Sequence, residues 1–262
     1  LTLEPGTHVH GVPGRTILES EGRAILSATR ADGVHLTGLV LDGGALPLEK
    51  NDALLTVAGA TEHDVSDCRF LNSGGNGVNL TEAGGRIAHC TFSNIAGGAV
   101  YVELGFEGAL IANNIVDTAA TGISVTSFNE GGRPAVVQGN IIRNLFFRKT
   151  GEAPGSGIAV GADASVLENV VEGAPAYGIL VGRGGYLRDV TVTANVVRKS
   201  HIGIGVAASS DAAAVLIADN LIDGAQNGAI RAMKGETPTG SDLANARAGS
   251  YRNLAVRANV MR

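Results

Sequence analysis

Glu103, Glu107, Glu130 and Arg133 bring three carboxylates and a guanidinium to one stretch of this 262-residue chain. A carboxyl group gives or takes a proton, and a guanidinium grips a carboxylate through two parallel hydrogen bonds. Such a set suits chemistry on a sugar or a uronate. Hydrolysis of a glycosidic bond takes two carboxyl groups about 5–10 Å apart. Elimination from a uronate takes a base and a cation that steadies an enolate-like carboxylate. Glu103, Glu130 and Arg133 are therefore the candidate catalytic residues. Tyr101, Glu107, Asn129, Arg183 and Tyr186 are the candidate binding residues, as tyrosine rings can stack on sugar rings and polar groups can meet hydroxyls. The same charges also make an ordinary solvated salt-bridge network on a turn edge, and the sequence leaves both readings open.

Other chemical signatures are scarce. CxxC, HExxH, a GK[ST] phosphate loop and a GxSxG elbow are all missing from the sequence. No Asp cluster has Ca²⁺-ligand character. Neither a metal site nor a cofactor is expected. His8 and His10 alternate onto one face, as a metal pair or, more plainly, as exposed polar residues. His201, in a turn, is a candidate for proton transfer. Cys68 and Cys90 are too few for a disulfide scaffold and read as stacked buried thiols. A net charge of −5 without a basic stripe speaks against a nucleic-acid partner. No apolar run reaches the roughly 18 residues of a membrane span, so no membrane insertion is expected. The chain opens at Leu1 without Met or leader, which reads as a mature or trimmed piece.

The elements that must carry these residues come from a repeat. Glycine fills 38 of 262 positions and aromatics only 4%. Leu39, Cys68, Cys90, Asn114, Asn140, Asn169, Asn195, Asn220 and Asn259 are equivalent positions, most of them 22 to 29 residues apart. A period in the twenties marks a solenoid. Each unit holds three short aliphatic-alternating segments: one before the Asn (ALIA, AVVQ, VTVT), one after it (IVD, IIR, VVE, VVR), and one led by Gly (GISV, GIAV, GILV). Three strands per coil with no helical period predict an all-β, right-handed parallel β-helix. A leucine-rich repeat would want Leu at fixed sites and a helical piece, whereas Val and Ile dominate here. The Asn is expected at a tight bend, where it bonds backbone and its copies above and below. One domain spans 1–262, with irregular opening coils over 1–60, regular coils over 61–232, and a long insertion and last coil over 233–262. The insertion at 233–253 is expected to fold over the end of the solenoid.

By alternation the Gly-led strands turn Asn79, Tyr101, Ser124, Ala159, Leu180, Gly205 and Arg231 outward. The next outward row is Thr81, Glu103, Thr126, Gly161, Gly182, Ala207 and Met233. No pair of carboxylates stands on these strands. Tyr177 joins Tyr101 and Tyr186 as a ring that could stack on sugars.

The stretches ELGFEGALIANNIVD, GISVTSFNEGGRPAVVQGNIIRNLF and YLRDVTVTANVVR resemble the twin-arginine-translocated repeat proteins, within the pectin-lyase-like β-helix superfamily. The resemblance covers most of the chain and is strongest from Glu103 to Arg262. It implies export in a folded state to the periplasm, or secretion. It carries over no catalytic residues. Resemblance to the wider superfamily implies a polysaccharide lying along the outer face of one sheet. Two function classes follow: a non-catalytic β-helix that binds a polysaccharide or envelope glycan, and a lyase, epimerase or glycoside hydrolase using the Gly-led face. The enzyme reading expects Glu103, Glu130 and Arg133 to converge in one cleft. The binding reading expects contacts scattered along a groove. The oligomeric state is not readable.

Overall fold

A computed structural model describes residues 1–49, 52–105, 107–127, 130–148, 155–182, 186–208, 214–235, 237–244, 251 and 254–262. The described elements are all β-strands, and they wind into a parallel β-helix with three strands per coil. No helix among these residues is long and apolar enough to cross a membrane. The first sheet stacks ten parallel strands in sequence order, from His8–His10 to Leu254–Arg257. The second sheet holds the short strands that follow the bend, such as Ile141–Arg143, Val170–Glu172 and Val196–Arg198. The third holds the Gly-led strands, such as Ile158–Val160 and Tyr177–Val181. Two long strands, Thr91–Glu103 and Ile115–Val125, run through the bend and join the second sheet to the third.

Each inward position repeats from coil to coil. In the second sheet Leu41, Phe70, Phe92, Val116, Ile142, Val171, Val197 and Ile222 stack in register, and all are buried. Phe70 and Phe92 stack face to face with centroids 4.8 Å apart. This one aromatic pair sits where one coil meets the next, and aliphatics fill the rest of the column. Continuous ladders of this kind remove apolar surface from water without voids, which is the main favourable term in folding.

The asparagines lock the coils. Asn169 donates from Nδ2 to the carbonyl oxygens of Val137 and Leu167 and to Asn195 Oδ1, each at 2.9 Å. Its own Oδ1 accepts from the Asn140 backbone N–H at 3.0 Å and from Asn140 Nδ2 at 2.9 Å. The pattern runs from Asn114 to Asn259. Below it Cys90 takes the ladder position and donates its N–H to Asn114 Oδ1. Cys68 and Cys90 are both buried free thiols. The hydrogen bond shared with Cys68, and then burial, push the Cys90 thiol well up.

Two backbone details shape the corners. The left-handed residue at the bend is the one before the ladder position: Asp67, His89, Asn113, Glu168, Ala194, Asp219 and Ala258 all have positive φ, while the ladder asparagines do not. Those asparagines need their amides aimed at the neighbouring coil, so the strain falls on the preceding residue. The glycine opening the third strand is required by space, not by φ. A Cβ on Gly178 would meet Val197 and would lie 2.6 Å from the Gly203 carbonyl oxygen.

The described part of the long insertion folds back on the third sheet. Thr237–Thr239 pairs antiparallel with Ile230–Lys234, and Leu243 is buried in the core. Asp242 accepts from the N–H groups of Ala229, Ile230 and Ala244.

Asn169→Ala would strand two donors of Asn140 in the core, and each buried orphan costs about 1–3 kcal/mol. A loss of about 3–5 kcal/mol is expected in chemical denaturation, against about 1 kcal/mol for Asn259→Ala at the half-buried end of the ladder. Equal losses at both positions would contradict a ladder whose strength comes from burial.

Candidate functional site

The third sheet places its outward residues in two columns. In one, Thr56, Asn79, Tyr101, Ser124, Ala159, Leu180, Gly205 and Arg231 follow one another in register. In the other, Ala58, Thr81 and Glu103 are in register, and Thr126 follows Val125 in the next coil. The early coils of this face are polar. Asn76 Nδ2 donates to Asn79 Oδ1 at 2.9 Å, and Asn76 Oδ1 takes the Gly98 N–H at 2.7 Å. The later coils are apolar. Tyr177 is largely buried there against Ile202 and Met233, and a Cβ on Gly205 would lie 2.9 Å from its ring. Tyr177 is therefore packing, not an open stacking surface.

Tyr101 and Glu103 stand together on this face, both half-buried. The in-column neighbours of Glu103 are hydroxyl residues, Thr81 and Thr126, not carboxylates. Glu107 and Arg133 lie at the far end of the turns that follow, where the chain enters the first sheet. A Cβ on Gly84 would lie 2.8 Å from Glu107 Cβ, and one on Gly108 would lie 3.1 Å from Arg133 Cβ. Glu130 and Arg133 are exposed turn residues. Among the described residues no ion pair joins Glu103, Glu107, Glu130 or Arg133. Tyr186 is exposed on a later turn, beside buried Leu187. Asn129 and Arg183 lie outside the described residues.

Three further groups carry polar chemistry. Thr121 and Ser156 occupy adjacent coils just before the Gly-led strand, and their buried hydroxyls have no hydrogen-bond partner. A polar residue directly before that glycine was the available sequence signal. On the first sheet His8 and His35 stack with centroids 4.3 Å apart, beside an Asp64–Arg86 pair held by two 3.1 Å hydrogen bonds. They border a groove of about 240 Å³, and a second groove of about 520 Å³ lies further along that sheet by Thr191, Leu216 and Ala255. Neither groove includes a third-sheet residue. Among the described residues no group of three or more His, Cys, Asp or Glu is arranged to hold a metal ion. His201 Nδ1 lies 3.4 Å from Gln226 Oε1.

A three-sheet coil of parallel strands with buried ladders defines a parallel β-helix. Residues 24–197 match the family described as right handed beta helix region, and the chain belongs to that family. No curated protein matches it in sequence. Among solved structures it is similar to a hyperthermoactive exopolygalacturonase from Thermotoga maritima, with a TM-score of 0.61 and 14% identity over 100% of this chain and 81% of that one. It is also similar to the catalytic domain of a GH87 α-1,3-glucanase in complex with nigerose, with a TM-score of 0.58 and 10% identity over 97% of this chain and 55% of that one. A double mutant of the tailspike protein of E. coli bacteriophage HK620, in complex with a pentasaccharide, gives 0.55 and 14% over 100% and 59%. The likeness is one of fold, and the chain spans little more than half the length of the last two.

His63 is a buried titratable group away from this face. It is 4% exposed, points inward over Gly85, and its ring nitrogens make no close hydrogen bond, only looser contacts with the backbone carbonyls of Ala60 and Val34. Burial lowers its pKa, with the Asp32 charge partly opposing. The unfolded chain therefore takes up the proton first, as pH falls below the ordinary value of about 6.5. Stability is full above that value and falls as pH drops from it toward the lowered folded pKa. The thermal midpoint is expected to fall between neutral pH and about pH 5, less steeply in His63→Leu. Parallel curves for the two proteins would remove His63 as the source.

Proposed function

We propose that this protein is a non-catalytic β-helix that holds a polysaccharide or envelope glycan along the polar part of its third sheet. The carrying observation is the pair of columns Thr56–Asn79–Tyr101–Ser124 and Thr81–Glu103–Thr126. Thr56, Tyr101, Thr81, Glu103 and Thr126 are half-buried and offer hydroxyls, one carboxylate and one aromatic ring to a chain of hydroxyls and C–H faces, while Asn79 and Ser124 are buried in their column. Glu103 has hydroxyl neighbours in its column, whereas glycoside hydrolysis takes two carboxyl groups about 5–10 Å apart. The exopolygalacturonase, the glucanase and the saccharide-bound tailspike lend support as carbohydrate-related proteins of the same fold. Twin-arginine export to the periplasm or outside the cell is part of this reading. It rests on the sequence resemblance, and cell fractionation with and without a working twin-arginine translocase tests it.

The glycan reading is tested with a panel of neutral and acidic polysaccharides, with and without Ca²⁺, by calorimetry and by assays for new reducing ends and unsaturated uronates. Binding without turnover is expected, weakened about tenfold or more by Tyr101→Ala and by Glu103→Gln at unchanged thermal midpoint. Turnover abolished by Glu103→Gln would replace this reading with an enzyme. No binding to any glycan would overturn it.

A further inference from the structure

The second sheet carries an outer face that the glycan reading does not use. Its first outward column is aliphatic over six successive coils: Ile115, Ile141, Val170, Val196, Leu221 and Val260 are in register. Ile115, Ile141 and Val260 are 41%, 42% and 54% exposed, and the three between them are half-buried. Soluble monomers rarely present contiguous apolar patches beyond a few hundred Å².

The second outward column, two residues along each strand, alternates in charge. Asp117, Arg143, Glu172, Arg198 and Asp223 are in register, and Arg262 follows Met261 beside Asp223. The order is minus, plus, minus, plus, minus, plus. Within the chain Arg143 pairs with Asp117 at 2.9 Å, and Glu172 is held by Lys199 at 2.8 Å.

An alternating column read backwards is its own complement. A two-fold axis along the strands, passing between the coils of Glu172 and Arg198, maps each column onto its copy with the coil order reversed. Glu172 then faces the partner subunit's Arg198, and Arg143 faces the partner subunit's Asp223. Val170 faces the partner subunit's Val196, and Ile141 faces the partner subunit's Leu221. A two-fold parallel to the solenoid axis does neither job. Placed between the columns it sets aliphatic against charge. Placed on the aliphatic column it leaves the charges unmatched. We propose that this face pairs two copies of the chain antiparallel, apolar column on apolar column and each charge on its opposite. Such an isologous contact closes at two subunits. The face is narrow, since each strand offers two outward residues, so the dimer belongs to the weak, reversible class. It leaves the outer face of the third sheet, with Tyr101 and Glu103, uncovered.

Sedimentation velocity from micromolar to millimolar chain tests this. The mass is expected to rise from 26.5 kDa toward twice that value, and salt should weaken the association. Ile141→Lys and Arg198→Glu should each raise the dissociation constant about tenfold or more, the first by placing charge in the apolar column, the second by opposing two carboxylates. The double exchange Glu172→Arg with Arg198→Glu should restore pairing. It keeps every cross-subunit match while setting like charges side by side within each chain, so a purely intrachain role predicts the opposite. Circular dichroism and thermal midpoints identify folded variants. A chain that stays at 26.5 kDa throughout overturns the proposal. So does pairing indifferent to either single change, or a folded double variant that remains monomeric.

Discussion

The asparagine ladder is the contact on which the rest of the molecule depends. A coil of a parallel β-helix can slide or turn against its neighbour unless something fixes its height and rotation. Backbone ladders fix the height. They do not by themselves choose the register, because every residue offers the same N–H and C=O. A buried amide does choose. Asn140, Asn169 and Asn195 each reach a carbonyl of the coil on one side and the next Asn on the other. A slip of one residue would leave these groups unpaired and turn each inward aliphatic to solvent. Where the ladder position is Leu39, Cys68 or Cys90, apolar packing and the Phe70–Phe92 stack take over that role.

Register then decides the surfaces. In a solenoid each coil touches only its neighbours, so one strand position becomes a column tens of ångströms long. The three sheets use this differently. The third groups amides, hydroxyls, Tyr101 and Glu103 in its early coils and then turns apolar around Tyr177. The second sets an aliphatic column beside one of alternating charge. The first begins with His8, His35, Asp64 and Arg86 and continues through Leu110 and Val136. The proposed glycan binding and self-association use separate faces, so each can be altered without the other.

The backbone shows where a local signal was read for the wrong reason. Asparagine tolerates left-handed backbone, so the ladder residue looked like the bend itself. Its amide is held by the next coil, and the unusual φ passes to residues as unlike as Glu168, Ala194 and His89. Gly38, Asp67, His89, Asn113, Gly139 and Asp219 are types that tolerate this backbone, whereas at Glu168, Ala194 and Ala258 the neighbouring coil outweighs the cost. The Gly before the third strand is needed for lack of room against Val197 and Gly203.

The repeat of Asn, the three aliphatic segments and the Gly-led strand determined the solenoid, the coil boundaries and the outward rows by themselves. Each is a local pattern with a fixed period. Even the charges of the second sheet stood in plain order as IVD, IIR, VVE, VVR and LID. Only the tertiary structure decided what those rows mean together. It put Glu103 between two threonines, and Glu107 with Arg133 at the far end of the turns. It covered Tyr177 and buried His63 over Gly85. It also set residues some 26 positions apart side by side as one alternating column. Turn paths, burial and cross-coil neighbours depend on how every coil stacks, and no segment carries that information alone.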